Sequence, residues 1–338
     1  MTMYASNAGK SGGEFFTPQE VAELLVRIST HNNDNIYRVY DPACGSGSLL
    51  LKFVKILGAE KASNVSFFGQ EINITTYNLC RINMFLHHVD FKMFDIQLGD
   101  TLTEPKHLAD QPFDAIVSNP PYSTHWVGSD NALLINDERF SPAGVLAPKS
   151  KADLAFTMHI LHHLSETGTA AIVEFPGVLY RTGAEKTIRQ YLIEKNRVDC
   201  VIHLPENLFF GVTIATCIIV LKKNKTDNNI LFIDASEEFI HEGNKNKLSP
   251  DNIDNILRLY TNRTDEEYKA RLVSNKEVEA QDWNLSVSSY VEKRDDSEQI
   301  DIHALNQRVA EIVDRQSQLR SQLDAIIKNL EDEPAQSE

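Results

Sequence analysis

Val39-Tyr40-Asp41-Pro42-Ala43-Cys44-Gly45-Ser46-Gly47-Ser48-Leu49-Leu50 runs from a short strand through a turn of small residues into the start of an apolar helix. Glycines in such a turn tolerate positive φ and let the backbone approach a ligand closely. Further on, Val65-Ser66-Phe67-Phe68-Gly69-Gln70-Glu71 reads as the next strand, ending in a carboxylate. Phe113-Asp114-Ala115-Ile116-Val117 reads as a buried strand that runs into Asn119-Pro120-Pro121-Tyr122. Strands are expected near 37–41, 65–71, 91–98, 113–118, 169–175, 198–204 and 214–222, and helices near 18–30, 47–58, 73–88, 151–165 and 184–195. Alternation with helices of crossover length makes the strands parallel. The expected architecture is a doubly wound, mostly parallel seven-stranded α/β sheet with its ligands at the carboxyl ends of the strands.

The first turn resembles a G-x-G-x-x-G dinucleotide fingerprint but departs from it at Leu50, and the sequence has no G-x-x-x-x-G-K-[ST] phosphate loop. An acid shortly before the glycines, Asp41, is unwelcome beside a pyrophosphate. It is welcome beside the ammonium and sulfonium of S-adenosylmethionine. Glu71 is placed to accept hydrogen bonds from both hydroxyls of a ribose. The residues 119–122 suit chemistry on a planar amine. The Asn119 side-chain carbonyl and a main-chain carbonyl beside the prolines can each accept one N–H, and the prolines hold those acceptors rigid. Tyr122 offers a flat face on which a base can stack. Taken alone, the same tetrapeptide also reads as a proline-rich turn after a strand.

Gly13-Glu14-Phe15-Phe16-Thr17-Pro18, then Asp41-Pro42-Ala43-Cys44-Gly45-Ser46-Gly47, then Asn119-Pro120-Pro121-Tyr122 together resemble an adenine-N6 DNA methyltransferase, and more narrowly the modification subunit of a type I restriction-modification system. Phe175-Pro176-Gly177-Val178-Leu179-Tyr180-Arg181 and Leu204-Pro205-Glu206-Asn207-Leu208-Phe209 look like the same family. The resemblance implies a Rossmann-like methyltransferase sheet with an antiparallel edge formed by its last strands. It implies S-adenosylmethionine as cofactor, with Phe15, Phe16 and Thr17 packed beside it. Asp41, Pro42, Ala43, Gly45, Ser46 and Gly47 would hold its methionine end, Glu71 its ribose and Ile72 its adenine, with Asp100 toward the adenine amine. The target adenine must leave the DNA stack, because its N6 is unreachable inside a duplex. Asn119 and the Pro120 carbonyl would take the two N6 hydrogens, Pro121 would stiffen the turn, and Tyr122 would stack on the base. Phe156 reads either as a wall of the base pocket or as a core phenylalanine behind Asp153. No metal is expected.

Net charge is −15 (33 Lys and Arg against 48 Asp and Glu), which repels duplex DNA. With no evident helix-turn-helix, zinc finger or basic helix, DNA affinity is expected to come chiefly from a partner. The resemblance names that partner as the specificity subunit, alongside a second modification subunit and a restriction subunit. Ile302, Leu305, Val309, Ile312, Gln316, Leu319, Leu323, Ile326 and Leu330 repeat with heptad a/d spacing. They predict a coiled-coil contact with the specificity subunit, against the alternative of a helix lying on its own domain.

The expected division is a catalytic domain at 12–247, a small helical and irregular extension at 248–299 with short helices near 251–260 and 266–272, a coiled-coil helix at 300–330 and a disordered acidic tail at 331–338. Ser123 to Ser150 is expected to be a mobile loop closing over the target base. Scattered Cys44, Cys80, Cys200 and Cys217 read as reduced thiols of a cytoplasmic protein, and no membrane span is read. The family carries a helical domain ahead of its Gly-Glu-Phe-Phe-Thr-Pro motif. Here that motif starts at Gly13, so a truncated, split or short form is expected. Two other functions fit parts of the pattern: methylation of a protein glutamine or an RNA base amine, and a non-catalytic assembly role for the heptads.

Overall fold

The computed structural model describes residues 17–33, 35–294 and 302–332. The chain divides into two units, Met1–Lys293 and Arg294–Glu338.

The first unit is built on α1 (Gln19–Ser29), β1 (Arg38–Asp41), α2 (Ser48–Ala62), β2 (Ser66–Glu71), α3 (Ile74–Leu86), β3 (Phe94–Leu98), β4 (Phe113–Ser118), α4 (Asp153–His163), β5 (Leu164–Glu174), α5 (Ala184–Glu194), β6 (Val198–His203), β7 (Cys217–Lys222) and β8 (Asn229–Asp234). A small hairpin of β9 (Ile240–Glu242) and β10 (Lys245–Lys247) follows, then α6 (Pro250–Asn262), β11 (Ala270–Ser274) and α7 (Asn275–Ala280). One nine-stranded sheet has the order β11-β8-β6-β7-β5-β4-β1-β2-β3. Strand β1 lies parallel to both β2 and β4. The chain winds outward from β1 through β2 to β3, then returns to β1's other side with β4. The crevice between β1 and β4 is therefore the topological switch point, where open α/β sheets bind ligands.

The apolar runs alternate across the sheet because successive strand side chains point to opposite faces. Val39, Ala115, Val117, Ala171 and Val173 join one core with α1, α2 and α6. Tyr40, Phe113, Ile116, Ala170 and Ile172 join another with α4 and α5. In α1 the apolar positions Val21, Leu24, Leu25 and Ile28 are all buried, as their spacing predicts.

Four expectations are corrected. The sheet has nine strands, not seven, because β8 and β11 extend it. The reversed strand β7 is not an edge: it pairs antiparallel with β5 on one side and β6 on the other. Residues 266–272, read as a short helix, lead into β11, which pairs antiparallel with β8 over Ala270–Ser274. Pairing with β8's open edge outweighs the weak helical pattern of so short a segment. Residues 248–293 are thus part of the sheet unit rather than a separate extension.

Ser123 to Ser150 is also not a free loop. Trp126, Leu134, Phe140 and Ala147 are buried in the second core. All four cysteines are buried and unpaired. Among the described residues no helix is long and apolar enough to cross a membrane.

The second unit contains α8 (Ile302–Asp332), 31 residues long. Leu305, Val309, Ile312, Leu319, Leu323 and Ile326 are exposed along it. The helix runs two residues into the stretch expected as a tail, and residues 333–338 lie outside the described part.

Candidate functional site

Two turns meet at the switch point. Asp41 closes β1 with its side chain 1% exposed. Its Oδ1 accepts from the Ala43 backbone N–H at 3.1 Å and from Ser118 Oγ at 3.0 Å. Its Oδ2 is buried with no partner. Burial pushes this carboxyl up to about 7, against the opposing effect of those two hydrogen bonds; nearby Glu71 adds to the rise.

The glycine turn is shaped by close packing. Gly47 has φ 81°, and a Cβ there would stand 2.7 Å from Cys80 Sγ. Asn83, on α3, donates from Nδ2 to the Ser46 carbonyl at 2.9 Å. Its Oδ1 is buried and unpartnered. Glu71 ends β2 and accepts from the Gly45 N–H at 3.1 Å and the Asn73 N–H at 2.8 Å. Burial raises its pKa, opposed by these backbone donors. Beside it Ile72 is 68% exposed.

Asp100 follows β3 and turns back on itself, its Oδ1 accepting from the Leu102 N–H at 2.9 Å. Next to it, Thr101 Oγ1 donates to the Pro42 carbonyl at 2.5 Å. This bond joins the Asp100 turn to the Asp41 turn.

The tetrapeptide stands across the crevice. Ser118, the last residue of β4, reaches Asp41, so the two turns share a hydrogen bond. Asn119 Nδ2 donates to Thr17 Oγ1 at 3.1 Å, and Asn119 Oδ1 accepts from the Tyr122 hydroxyl at 2.6 Å. Tyr122 meets Phe209 edge-on, with ring centroids 6.4 Å apart. Burial holds the Tyr122 hydroxyl well above the usual phenol range, so it remains a donor.

Behind Tyr122, Asp153 accepts from the Ser123 N–H at 3.0 Å. Glu174 accepts from Thr157 Oγ1 at 2.9 Å, and its other oxygen is buried without a partner. Burial, then the Asp153 charge, raises Glu174 well above the carboxylate range.

A family model, N-6 DNA Methylase, matches residues 1–299. The chain belongs to that family. It is 50% identical to the type I restriction enzyme MpnII methylase subunit of Mycoplasma pneumoniae, over 98% of this chain and 62% of that protein. It is 33% identical to the MjaVII methylase subunit of Methanocaldococcus jannaschii, over 94% of this chain and 56% of that protein. The solved type I methyltransferase subunit from Streptococcus thermophilus is 42% identical and superposes with a TM-score of 0.79, covering 82% of this chain and 60% of that one. The chain therefore spans about three-fifths of the length of such relatives.

In this member of the family the structure gathers Thr17, Asp41, Pro42, Gly45, Glu71, Asp100 and Asn119 into one region linked by hydrogen bonds. Phe15 and Phe16 lie outside the described residues. Phe156 is 7% exposed and is packed in the second core, on the helix whose Asp153 accepts from the Ser123 N–H beside Tyr122.

Sequence reasoning missed Ser118, Thr101, Asn83 and Phe209. A polar Asn83 on the inner side of an apolar helix was the available signal. It also missed Arg139, which is 2% exposed. Arg139 donates to the Thr101 and Leu102 carbonyls at 2.9 and 2.8 Å, to both oxygens of Asp137, and to His159 Nδ1 at 3.1 Å. Burial holds His159 well below the usual imidazole range, so its ring is neutral and free to accept that bond.

Among the described residues one trio, Asp95, His107 and Asp110, brings ligand atoms within 4.8 Å of one another. His107 is already engaged through both ring nitrogens, by Asp110 and by the Gly69 carbonyl.

Proposed function

We propose that this chain is the methyl-transferring part of a type I modification subunit and methylates N6 of an adenine flipped out of DNA. The observation that carries this reading is the fixed Asn119 side chain at the carboxyl end of β4, tied through Ser118 to the Asp41 turn.

The residues present fit S-adenosylmethionine. Asp41 keeps a buried, unpartnered oxygen suited to an ammonium, beside a glycine turn held tight against α3. When bound, that cofactor supplies an electrophilic methyl on a sulfonium. Asp41 and the 42–47 turn would hold its amino-acid end, with Phe15, Phe16 and Thr17 beside it. Glu71 retains acceptor capacity for ribose hydroxyls even while it holds Gly45 and Asn73. Exposed Ile72 offers a flat apolar contact for the adenine, and Asp100 an acceptor for its amine.

Asn119 Oδ1 and the Pro120 carbonyl would accept the two N6 hydrogens of the target base, turning the nitrogen lone pair out of conjugation and toward the methyl. As Tyr122 moves to stack on the base, the N6–H replaces the Tyr122 hydroxyl as donor to Asn119. Positioning and preorganised dipoles carry such a transfer.

The −15 charge favours a partner that supplies DNA affinity and reads the sequence. The exposed apolar seam of α8 suits a coiled-coil contact with a specificity subunit. A second modification subunit and a restriction subunit complete the assembly we propose. The test is transfer of a labelled methyl to duplex DNA, by the chain alone and with the specificity subunit, with the product base identified. N6-methyladenine formed only with the partner is expected. Label in protein or RNA but not DNA would overturn the reading.

A further inference from the structure

We propose that Asp153 is a positioning residue for methyl transfer, holding the backbone just after Tyr122 in a left-handed conformation that serine does not favour. The inference rests on the function proposed above and deepens it.

Ser123 has φ 49°. A Cβ makes that region unfavourable, and glycine, asparagine and aspartate enter it far more readily than serine. Such a conformation persists only where its surroundings hold it. Two bonds do so here. The Ser123 N–H donates to Asp153 Oδ1 at 3.0 Å. The Ala152 N–H donates to the Thr124 carbonyl at 3.0 Å. Both partners stand where α4 begins. That helix starts without a side-chain cap, so the Asp153 carboxylate is not spent on closing its own helix. Asp153 is 1% exposed, and its Oδ2 is buried without a partner. Burying a half-satisfied carboxylate costs stability. Helix packing therefore gives no reason for an aspartate at 153, whereas the bond to Ser123 does.

The proposed reaction asks Tyr122 to leave Asn119 Oδ1 and turn onto the base. This is a rotation of one side chain about its own backbone. It ends in a stack only if that backbone stays in place. Released from Asp153, Ser123 would relax toward negative φ and draw Tyr122 out of line with Asn119. Small misplacements of this kind cost rate rather than fold.

Asp153→Ala removes the acceptor. Asp153→Asn keeps an acceptor and removes the charge. Ser123→Gly removes the strain. Each would be assayed in complex with the specificity subunit, by single-turnover methyl transfer at saturating DNA and S-adenosylmethionine, with cofactor binding measured alongside. Asp153→Ala is expected to slow transfer roughly 10- to 30-fold, with cofactor affinity within about threefold of the parent. Asp153→Asn should transfer within about threefold of the parent rate. So should Ser123→Gly, and in that background Asp153→Ala should cost no more than about threefold, because glycine holds the left-handed turn unaided.

An Asp153→Ala enzyme at the parent rate would overturn the proposal. So would an Asp153→Asn enzyme as slow as Asp153→Ala, which would assign the effect to charge. A full loss from Asp153→Ala in the Ser123→Gly background would overturn it too, as would an Asp153→Ala chain that fails to fold with either residue at 123. In both cases the damage lies in α4 and not in the turn. If the parent enzyme transfers no methyl to DNA, or Asn119→Ala transfers at the parent rate, the underlying functional reading fails instead.

Discussion

The turn after β4 and helix α8 treat their side chains in opposite ways. In the turn, polar atoms find partners inside the unit: Asn119 is held at both ends, Ser118 holds Asp41, and Ser123 N–H is taken by Asp153. Along α8, a row of six apolar side chains from Leu305 to Ile326 is half exposed or more. Dipoles that perform chemistry are useful only if fixed before the substrate arrives. An apolar seam on a long helix is completed by another surface. Polar side chains fixed from within, some keeping a buried oxygen without a partner, therefore mark the proposed reaction centre, and exposed apolar spacing marks the proposed docking element.

The contrast can be broken most forcefully at Asn119. Asn119→Ala should lower methyl transfer about 10²–10³-fold and leave S-adenosylmethionine affinity within a few-fold, as read by rate assays and calorimetry. A parallel collapse of cofactor binding would mean the turn is structural.

At the other extreme, Leu305→Asp together with Ile312→Asp should weaken the complex with the specificity subunit by about 30-fold or more while the cofactor affinity of the isolated chain stays the same. An unchanged elution volume for the complex would show that the seam does not face that partner.

Asp41 offers a test in pH. Burial places its folded value near 7, above its ordinary 3.8. The folded chain therefore binds this proton more tightly than the unfolded chain does. The resulting stability is fully present below the ordinary value and is lost as pH rises through 7. An ammonium ligand favours the ionised form, so cofactor affinity should rise about tenfold per pH unit on approaching 7 and level off above it. Asp41→Asn should weaken binding and flatten that profile; a slope that survives the substitution would assign it to another group.

The smallest effect is expected at Gly47. Gly47→Ala places a Cβ against Cys80 Sγ at a positive φ and should cost about 1–2 kcal/mol of unfolding free energy, measured by denaturant titration. An unchanged midpoint would mean that the α3 side of the turn yields easily.

What could be read from the sequence was local. Strand ends, the glycine turn and the proline turn each declare themselves within a dozen residues, so Asp41, Glu71 and Asn119 read from the sequence as lying at the carboxyl ends of strands. Contacts set by the far chain were not legible. Nothing near Asn119 announces Thr17, and nothing near Thr101 announces Arg139. Ala270–Ser274 became a strand because β8 presented an unpaired edge, a fact held by another part of the chain. The 123–150 stretch reads as a loop because its polar and turn residues outnumber Trp126, Leu134 and Phe140, yet those few suffice to anchor it to the core.

Arg139 gives that stretch a further property. Its donors are shared among carbonyls of the Asp100 turn, a carboxylate of its own segment and a histidine of α4, and a guanidinium pulled from these partners would be left bare in the core. The segment can therefore open only together with the Asp100 turn, as one cooperative unit. In hydrogen exchange its protected amides belong with those of the sheet, and limited proteolysis should spare it despite its lack of long helices or strands.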